Sequence, residues 1–448
     1  MNIPILLGLL YQLEKLHQHE SWSRTKLEKF QQDAVLRLRN HAYKYSNFYQ
    51  KFHKGFENCS LSELPILTKS MMMDNFDELV TDKKIHLADL RAYVNSENDK
   101  KPYLGSYQVN VTSGSMGSPG FFVFNQNEWA SVLASFARSH EWAGIKINLA
   151  HRMKMASVAS TSPWHMSAQV GKTLKSWWLP TLRLAASQPL PEIVQMLNVW
   201  QPDLLVAYAS IAHILADEQQ AGRLQIYPTI VYTSSEVLTA ETRRQILNVW
   251  GCEPFNQYAS TEVGGLAAET IAHQGLVLYD DNFIFEVVDE QYRPVPPGVY
   301  GTKILLTVLY NFTQPLIRYE LNDSIQLAAD QNFDRTPFTR INNIQGRTED
   351  ILHFPGKFDH EISVHPLTFH RIMDTVSALG WQIVQEPNAL TILIIPGKDD
   401  LSDKVLIKAI GDALESLGAQ VPPILIHRVG EIPKTSAGKI PLIKAHHS

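Results

Sequence analysis

Between Leu204 and Trp250 the chain alternates twice between a short apolar run and a longer segment with helical spacing. Leu204–Ala207 and Ile230–Tyr232 read as buried strands, and Ile211–Gln220 and Ala240–Trp250 read as the helices that follow them. A strand that feeds a helix and returns to a second strand builds a parallel sheet covered by helices, so this alternation restricts the fold to the α/β class. Met153–Ala159 and Lys303–Leu309 extend the set of buried strands. Upstream, Phe30, Ala34, Leu38 and Ala42 mark one face of a helix between Leu27 and Phe48. Near the carboxyl end the strand-like Ala389–Ile395 and Pro423–Ile426 flank a helix over Leu401–Leu417, with Val405, Ala409, Ala413 and Leu417 on one face. A chain of 448 residues with 44% apolar side chains exceeds one ordinary domain, so at least two are expected.

The charge balance is close to even, with 40 basic and 45 acidic side chains and a net charge of −5. No basic stripe points to nucleic acid, and no acidic block points to a disordered tail. The two cysteines, Cys59 and Cys252, are far apart, which favours reduced thiols and a cytoplasmic location. The apolar start, Ile3 to Tyr11, is too short to span a membrane and lacks a basic leader; a short helix packed on the larger domain is expected there.

Five polar segments interrupt this apolar framework. Thr112, Ser113, Gly114, Ser115, Gly117 and Ser118 lie in a loop rich in glycine and hydroxyls before the strand-like Phe121–Phe124. Such a loop can turn successive N–H groups onto phosphates, or it can simply be a hairpin turn. Tyr258-Ala259-Ser260-Thr261-Glu262 offers a hydroxyl and a carboxylate, suited to a phosphate and Mg²⁺, or forms a solvated turn. Asp323 and Arg347 close two segments near strand ends, where a carboxylate and a guanidinium can hold vicinal ribose hydroxyls or form surface salt bridges. Pro433-Lys434-Thr435-Ser436-Ala437-Gly438-Lys439 places a lysine on a glycine-containing loop, either a mobile cation for a site elsewhere or a solvated tail.

In this order the segments resemble the core motifs of the adenylate-forming superfamily of acyl-CoA synthetases, luciferases and peptide-synthetase adenylation domains. Thr112–Gly120 is similar to T-S-G-T-T-G-x-P-K, Tyr258–Glu262 to Y-G-x-T-E, Arg318–Asp323 to R-Y-x-T-G-D, Gly346–Ile351 to G-R-x-D-D-x-I, and Pro433–Lys439 to P-K-T-x-S-G-K. Tyr43–Tyr49, Leu64–Lys69 and Asp281–Val287 resemble the phenylacetate-CoA ligase and coenzyme F390 synthetase branch. Gly120 replaces the usual loop lysine, Ala259 a glycine, and Leu321-Asn322 a Thr-Gly pair, where Asn322 can still take a left-handed turn.

The resemblance implies an α/β protein with a large multi-sheet amino-terminal domain, residues 1–347, and a small mobile α+β domain, residues 348–448, hinged at Glu349 and Asp350. It implies ATP-dependent conversion of a small carboxylic acid, aromatic or medium-length, to an acyl-adenylate, followed by transfer to a thiol. Coenzyme A is the implied acceptor; the phosphopantetheine arm of an acyl carrier protein and an amine are alternatives. A non-catalytic descendant that binds nucleotide or acyl ligand is the rival. Lys439, Thr261 and the Mg²⁺ ligand Glu262 are the implied catalytic groups, and the loop residues, Glu236, Tyr258, Asp323 and Arg347 the nucleotide site. Trp164, His165, Tyr208, Ser234, Ser235 and Ala259 are the implied acyl-pocket residues. No zinc is expected, because Glu269-Thr270 and Val277-Leu278 stand where some relatives carry zinc ligands.

Overall fold

Successive residues of Leu204–Tyr208 face opposite ways: Leu204 packs with Tyr232 and Phe255, and Leu205 packs with Ile193, Leu197 and Leu215. Both faces of this strand are buried, as expected for a parallel strand covered by helices. The computed structural model describes residues 3–96, 101–112, 119–145, 152–174, 179–330, 336–347, 351–356, 361–364, 366–373, 376, 378–396, 402–433 and 441–445. Its nine-stranded sheet runs Asp323–Leu327, Arg340–Arg347, Leu276–Leu278, Gly264–Glu269, Phe255–Ser260, Ile230–Ser234, Leu204–Tyr208, Met155–Ala159, Thr181–Ala185. From Phe255–Ser260 onward the strands are parallel, and the preceding pairs are antiparallel. The helices Leu190–Trp200, Ala209–Gln220 and Ala240–Trp250 connect the parallel strands, as the alternation requires.

Strand order reverses beside Met155–Ala159, because Thr181–Ala185 lies on one side and Leu204–Tyr208 on the other. In open α/β sheets ligands bind outside the carboxyl ends of strands at such a reversal. Two smaller sheets accompany the nine-stranded one. Gln108–Val111 and Phe121–Phe124 form an antiparallel hairpin, and Phe283–Val288, Lys303–Val308 and Tyr319–Leu321 form a three-stranded sheet.

A separate hydrophobic cluster draws only on residues from Leu352 onward, including Trp381, Ile392, Leu406, Ile410 and Ile443. Its sheet runs Ile424–Arg428, Ala389–Pro396, Ala378–Glu386, Ile443–Lys444. The helix Asp403–Ser416 buries Leu406, Ile410 and Leu414, not the expected row one residue earlier. Both rows repeat every four residues, and the one with three bulky side chains is buried, leaving Val405 and Leu417 exposed.

The amino-terminal helix is longer than its apolar run and spans Ile3–Glu20. Gly8 permits close approach to the helix Gln126–Trp142, since a Cβ there would lie 3.1 Å from Ala130 Cβ. The next helix, Arg24–Tyr45, is capped by Ser23 and buries Ala34, Leu38 and Ala42; Phe48 falls on the following helix, Asn47–Phe52. The left-handed residue of the Arg318–Asp323 segment is Arg318, at φ 50°, not Asn322. Among the described residues no helix is long and apolar enough to cross a membrane.

Candidate active site

Parallel pairing places Tyr208 opposite Ser234, and Ser234 opposite Gln257, at the carboxyl ends of three adjacent strands. With strands about 5 Å apart, Tyr208, Ser234 and Tyr258 therefore fall along a front roughly 10 Å wide. Ser160, just past the strand Met155–Ala159, donates its backbone N–H to the Tyr208 hydroxyl at 2.8 Å. That bond spans the point of strand reversal. Burial pushes the Tyr208 phenol up to about 12, so it stays protonated. Ser235 takes the left-handed conformation, at φ 69°, and directs the chain to Glu236. The Glu236 carboxylate accepts the backbone N–H of Ser210 at 2.9 Å, tying the start of the helix Ala209–Gln220 to the adjacent strand end. Glu236 thus organises the front as well as bordering it.

Tyr258 and Ala259 flank a bulge in the pairing of Phe255–Ser260 with Gly264–Glu269, and Thr261 and Glu262 sit half-buried at the hairpin tip. The glycines after them fit the helix Gln126–Trp142: a Cβ on Gly264, at φ 85°, would meet Val132 at 2.8 Å, and the Gly265 N–H donates to Ser135 Oγ. The bulge re-aims Tyr258, whose hydroxyl donates to Asp323 Oδ2 at 2.6 Å. Asp323 in turn lies opposite Arg347 in the antiparallel ladder. Two segments 65 positions apart are thereby joined through one phenol. Tyr258→Phe is expected to weaken AMP and ATP binding alike by about tenfold or more, because a hydrogen bond to a charged group is worth ~1.5–3 kcal/mol. Calorimetric titration checks this, and unchanged affinity removes the Tyr258–Asp323 pair from the nucleotide site that the resemblance implies.

Thr112 closes the base of its loop, with its N–H donating to the Gly120 carbonyl at 3.0 Å and its Oγ1 accepting the Gly120 N–H at 2.7 Å. The loop thus leaves a hairpin, so the turn and phosphate-loop readings are compatible in form. Ser113, Gly114, Ser115, Gly117, Ser118, Glu349, Asp350 and Lys439 lie outside the described residues, as does the side chain of Arg347.

Trp164 is buried with Phe76, Val80 and Tyr103, its ring 5.0 Å from Tyr93, and its carbonyl accepts the Val111 N–H at 2.9 Å. It supports the hairpin that carries the loop. His165 is half-buried and precedes the helix Met166–Thr173. Ser160 and Lys69 also reach these residues, through Tyr208 and Thr112 respectively. Nothing local marks Ser160, whereas the Thr68-Lys69 pair is visible in the sequence without revealing that it reaches Thr112.

Arg318 serves structure: its guanidinium pairs with Glu286 at 2.9 Å and donates to the Leu64 carbonyl. Glu269 accepts from Arg243 and from the Asn256 N–H, so an ion pair organises that strand end. Among the described residues no three His, Cys, Asp or Glu side chains cluster to hold a metal. Mg²⁺ needs only one or two carboxylates beside phosphate oxygens. The Glu262 carboxylate, at the hairpin tip with no ion-pair partner among the described residues, fits that need.

No protein-family model matches the chain. Protein CapK of Staphylococcus aureus is 23% identical over 422 residues, covering 89% of this chain and 85% of that protein. A phenylacetate-coenzyme A ligase of Thermus thermophilus is 24% identical over 373 residues, covering 79% and 76%. Among solved structures, 2-hydroxyisobutyryl-CoA ligase in its postadenylation state has a TM-score of 0.73 at 17% identity, covering 95% of this chain and 91% of that one. The fold is that of the adenylate-forming enzymes. The sequence likeness is to the phenylacetate-coenzyme A ligases and CapK, each below 25% identity.

Proposed function

We propose that the protein activates a small carboxylic acid with ATP, releasing pyrophosphate to form an acyl-adenylate, and then transfers the acyl group to the thiol of coenzyme A. The observation that carries this reading is the Tyr258–Asp323 hydrogen bond, which joins the hairpin bearing Thr261 and Glu262 to the strand pair of Asp323 and Arg347. A carboxylate oxygen attacks the α-phosphorus, the bond to the bridging oxygen breaks, and pyrophosphate leaves. The carboxylate is already ionised near neutral pH, so the chain supplies position and field, not a base. Asp323, oriented by Tyr258, and Arg347 hold the ribose, and Thr112 with the loop after it donates to phosphate oxygens. Glu262 would hold Mg²⁺, which when bound would supply neutralisation of charge on the transferring phosphate. Thr261 donates beside it.

The acid lies toward Tyr208, Ser234, Ser235 and Ala259, where an aromatic or medium-length acyl group suits the Tyr-lined front. Residues 1–347 and 348–448 act as two domains, a division supported by the self-contained cluster that begins at Leu352. The smaller turns about Glu349 and Asp350, withdrawing Lys439 and admitting the thiol; the thiolate attacks the acyl carbonyl and AMP leaves. The free Cys59 and Cys252 suit a cytoplasmic enzyme.

Pyrophosphate exchange across a panel of carboxylic acids tests the first half, and thioester formation with coenzyme A, a holo carrier protein or an amine identifies the acceptor. Exchange with at least one acid is expected. ATP binding without exchange for any acid indicates a non-catalytic descendant. Glu262→Gln is expected to lower exchange by roughly tenfold or more, on the scale of a lost charged contact, and to raise the Mg²⁺ requirement. An unchanged Mg²⁺ profile removes Glu262 from the metal.

A further inference from the structure

Gly120 leaves the Thr112 loop without the cation that its motif usually carries. The structure brings a different lysine to the same place. Leu67 bridges Tyr319: its N–H donates to the Arg318 carbonyl at 3.1 Å and its carbonyl accepts from the Glu320 N–H at 3.0 Å. Two residues on, Lys69 opens the helix Lys69–Asp74, behind the N-cap Thr68. The bridge therefore holds Lys69 between the segment that ends in Asp323 and the phosphate loop.

Lys69 Nζ donates to Thr112 Oγ1 at 3.4 Å. A Cβ on Gly120 would stand 3.1 Å from Lys69 Cε and 3.0 Å from the Phe122 ring. The lysine stem thus fills the room a side chain at position 120 would need, and glycine there and lysine at 69 form one arrangement. Thr112 Oγ1 also accepts the Gly120 N–H, so both its lone pairs are engaged and its own proton remains to be donated. An ammonium has three donors, and Thr112 engages one; among the described residues no carboxylate pairs with it. Lys69 and Thr112 are both half-buried, and neither makes an ion pair or hydrogen bond with a carboxylate among the described residues.

We propose that Lys69 is the phosphate-holding cation of this loop, contacting the β- and γ-phosphates of ATP in place of a lysine on the loop itself. The proposal rests on the ATP-dependent reading above. Calorimetric titration of the full chain with MgATP and with AMP tests it, using Lys69→Met, which keeps the stem over Gly120 and removes the charge, and Lys69→Arg. Lys69→Met is expected to bind ATP about tenfold to hundredfold more weakly, while AMP affinity stays within about twofold. Lys69→Arg is expected to recover most of the ATP affinity. Unchanged ATP affinity in Lys69→Met, or equal losses for ATP and AMP, overturns the proposal, the latter by assigning Lys69 to loop shape alone. Wild-type protein that binds neither nucleotide overturns the adenylation reading itself, an outcome distinct from a Lys69-specific failure.

Discussion

Lys439→Ala is expected to slow acyl-adenylate formation by about 10²–10³-fold, the range for losing one preorganised electrostatic stabiliser, or by more given the full charge lost. A carboxylate and a triphosphate repel, and the transferring phosphoryl group carries charge throughout the displacement, so a compact ammonium beside both lowers that barrier directly. The second half-reaction makes a different demand. Thiol attack on an acyl carbonyl releases AMP and needs an open approach, and the proposed turn of residues 348–448 withdraws Lys439 at that stage. Given chemically made acyl-adenylate and coenzyme A, the alanine variant is expected to form thioester at close to the normal rate. Equal losses in both halves would assign the loop a structural role, and no loss in either would make Lys439 an ordinary solvated lysine.

Lys439 and Lys69 have separable expected signatures. Lys439→Ala is expected to slow a chemical step, whereas Lys69→Met is expected to weaken ATP binding, with AMP as the internal control. Tyr258→Phe is expected to affect both nucleotides, because its hydroxyl bonds Asp323 at 2.6 Å, the residue proposed to hold the ribose. The three substitutions divide the site into adenosine, triphosphate and reaction centre.

What the sequence disclosed and what it concealed divide along range. Leu204–Tyr208 and Ile230–Ser234 were readable because burial on both faces writes a continuous apolar run. The Thr112 and Tyr258 segments stand out in the sequence as candidates because each is a contiguous stretch of backbone and hydroxyl donors. Contacts set by strand order were not. The Ser160 N–H reaches Tyr208 across 48 positions, and Lys69 reaches Thr112 across 43, each fixed by pairing partners that no local pattern names. The helix Asp403–Ser416 shows a different limit: two rows of apolar residues share one period, and only packing against the sheet selects Leu406, Ile410 and Leu414. Arg318 shows a third, since a motif residue shared with nucleotide-binding proteins here pairs with Glu286 and supports the backbone at Leu64.

Asp281→Asn is expected to destabilise the fold by about 3–5 kcal/mol, because it strips the nearest counter-charge from a fully buried guanidinium and leaves it only Glu20 at 3.5 Å. Arg138 and Asp281 are both buried, joined at 2.6 Å and 2.9 Å, and the His19 ring lies 2.9 Å from the same carboxylate. The cluster ties the helix Ile3–Glu20 to the helix Gln126–Trp142 and to the turn before Phe283–Val288. Burial alone would raise the Asp281 carboxyl, but the Arg138 guanidinium and the His19 ring outweigh it and hold it at about 2. Since an unfolded aspartate titrates near ~3.9, this depressed value contributes stability fully present above that pH and lost as the pH falls from about 4 through about 2, on the order of 2–3 kcal/mol. Urea unfolding followed by tryptophan fluorescence at neutral pH and at lower pH measures both effects. The wild type is expected to lose part of its advantage over Asp281→Asn as the pH drops, and equal midpoints at neutral pH would refute the assignment. Arg138→Met combined with Asp281→Asn is expected to recover part of the loss, because the methionine keeps an unbranched stem among Trp142, Tyr279 and Phe338 without burying an unpaired charge.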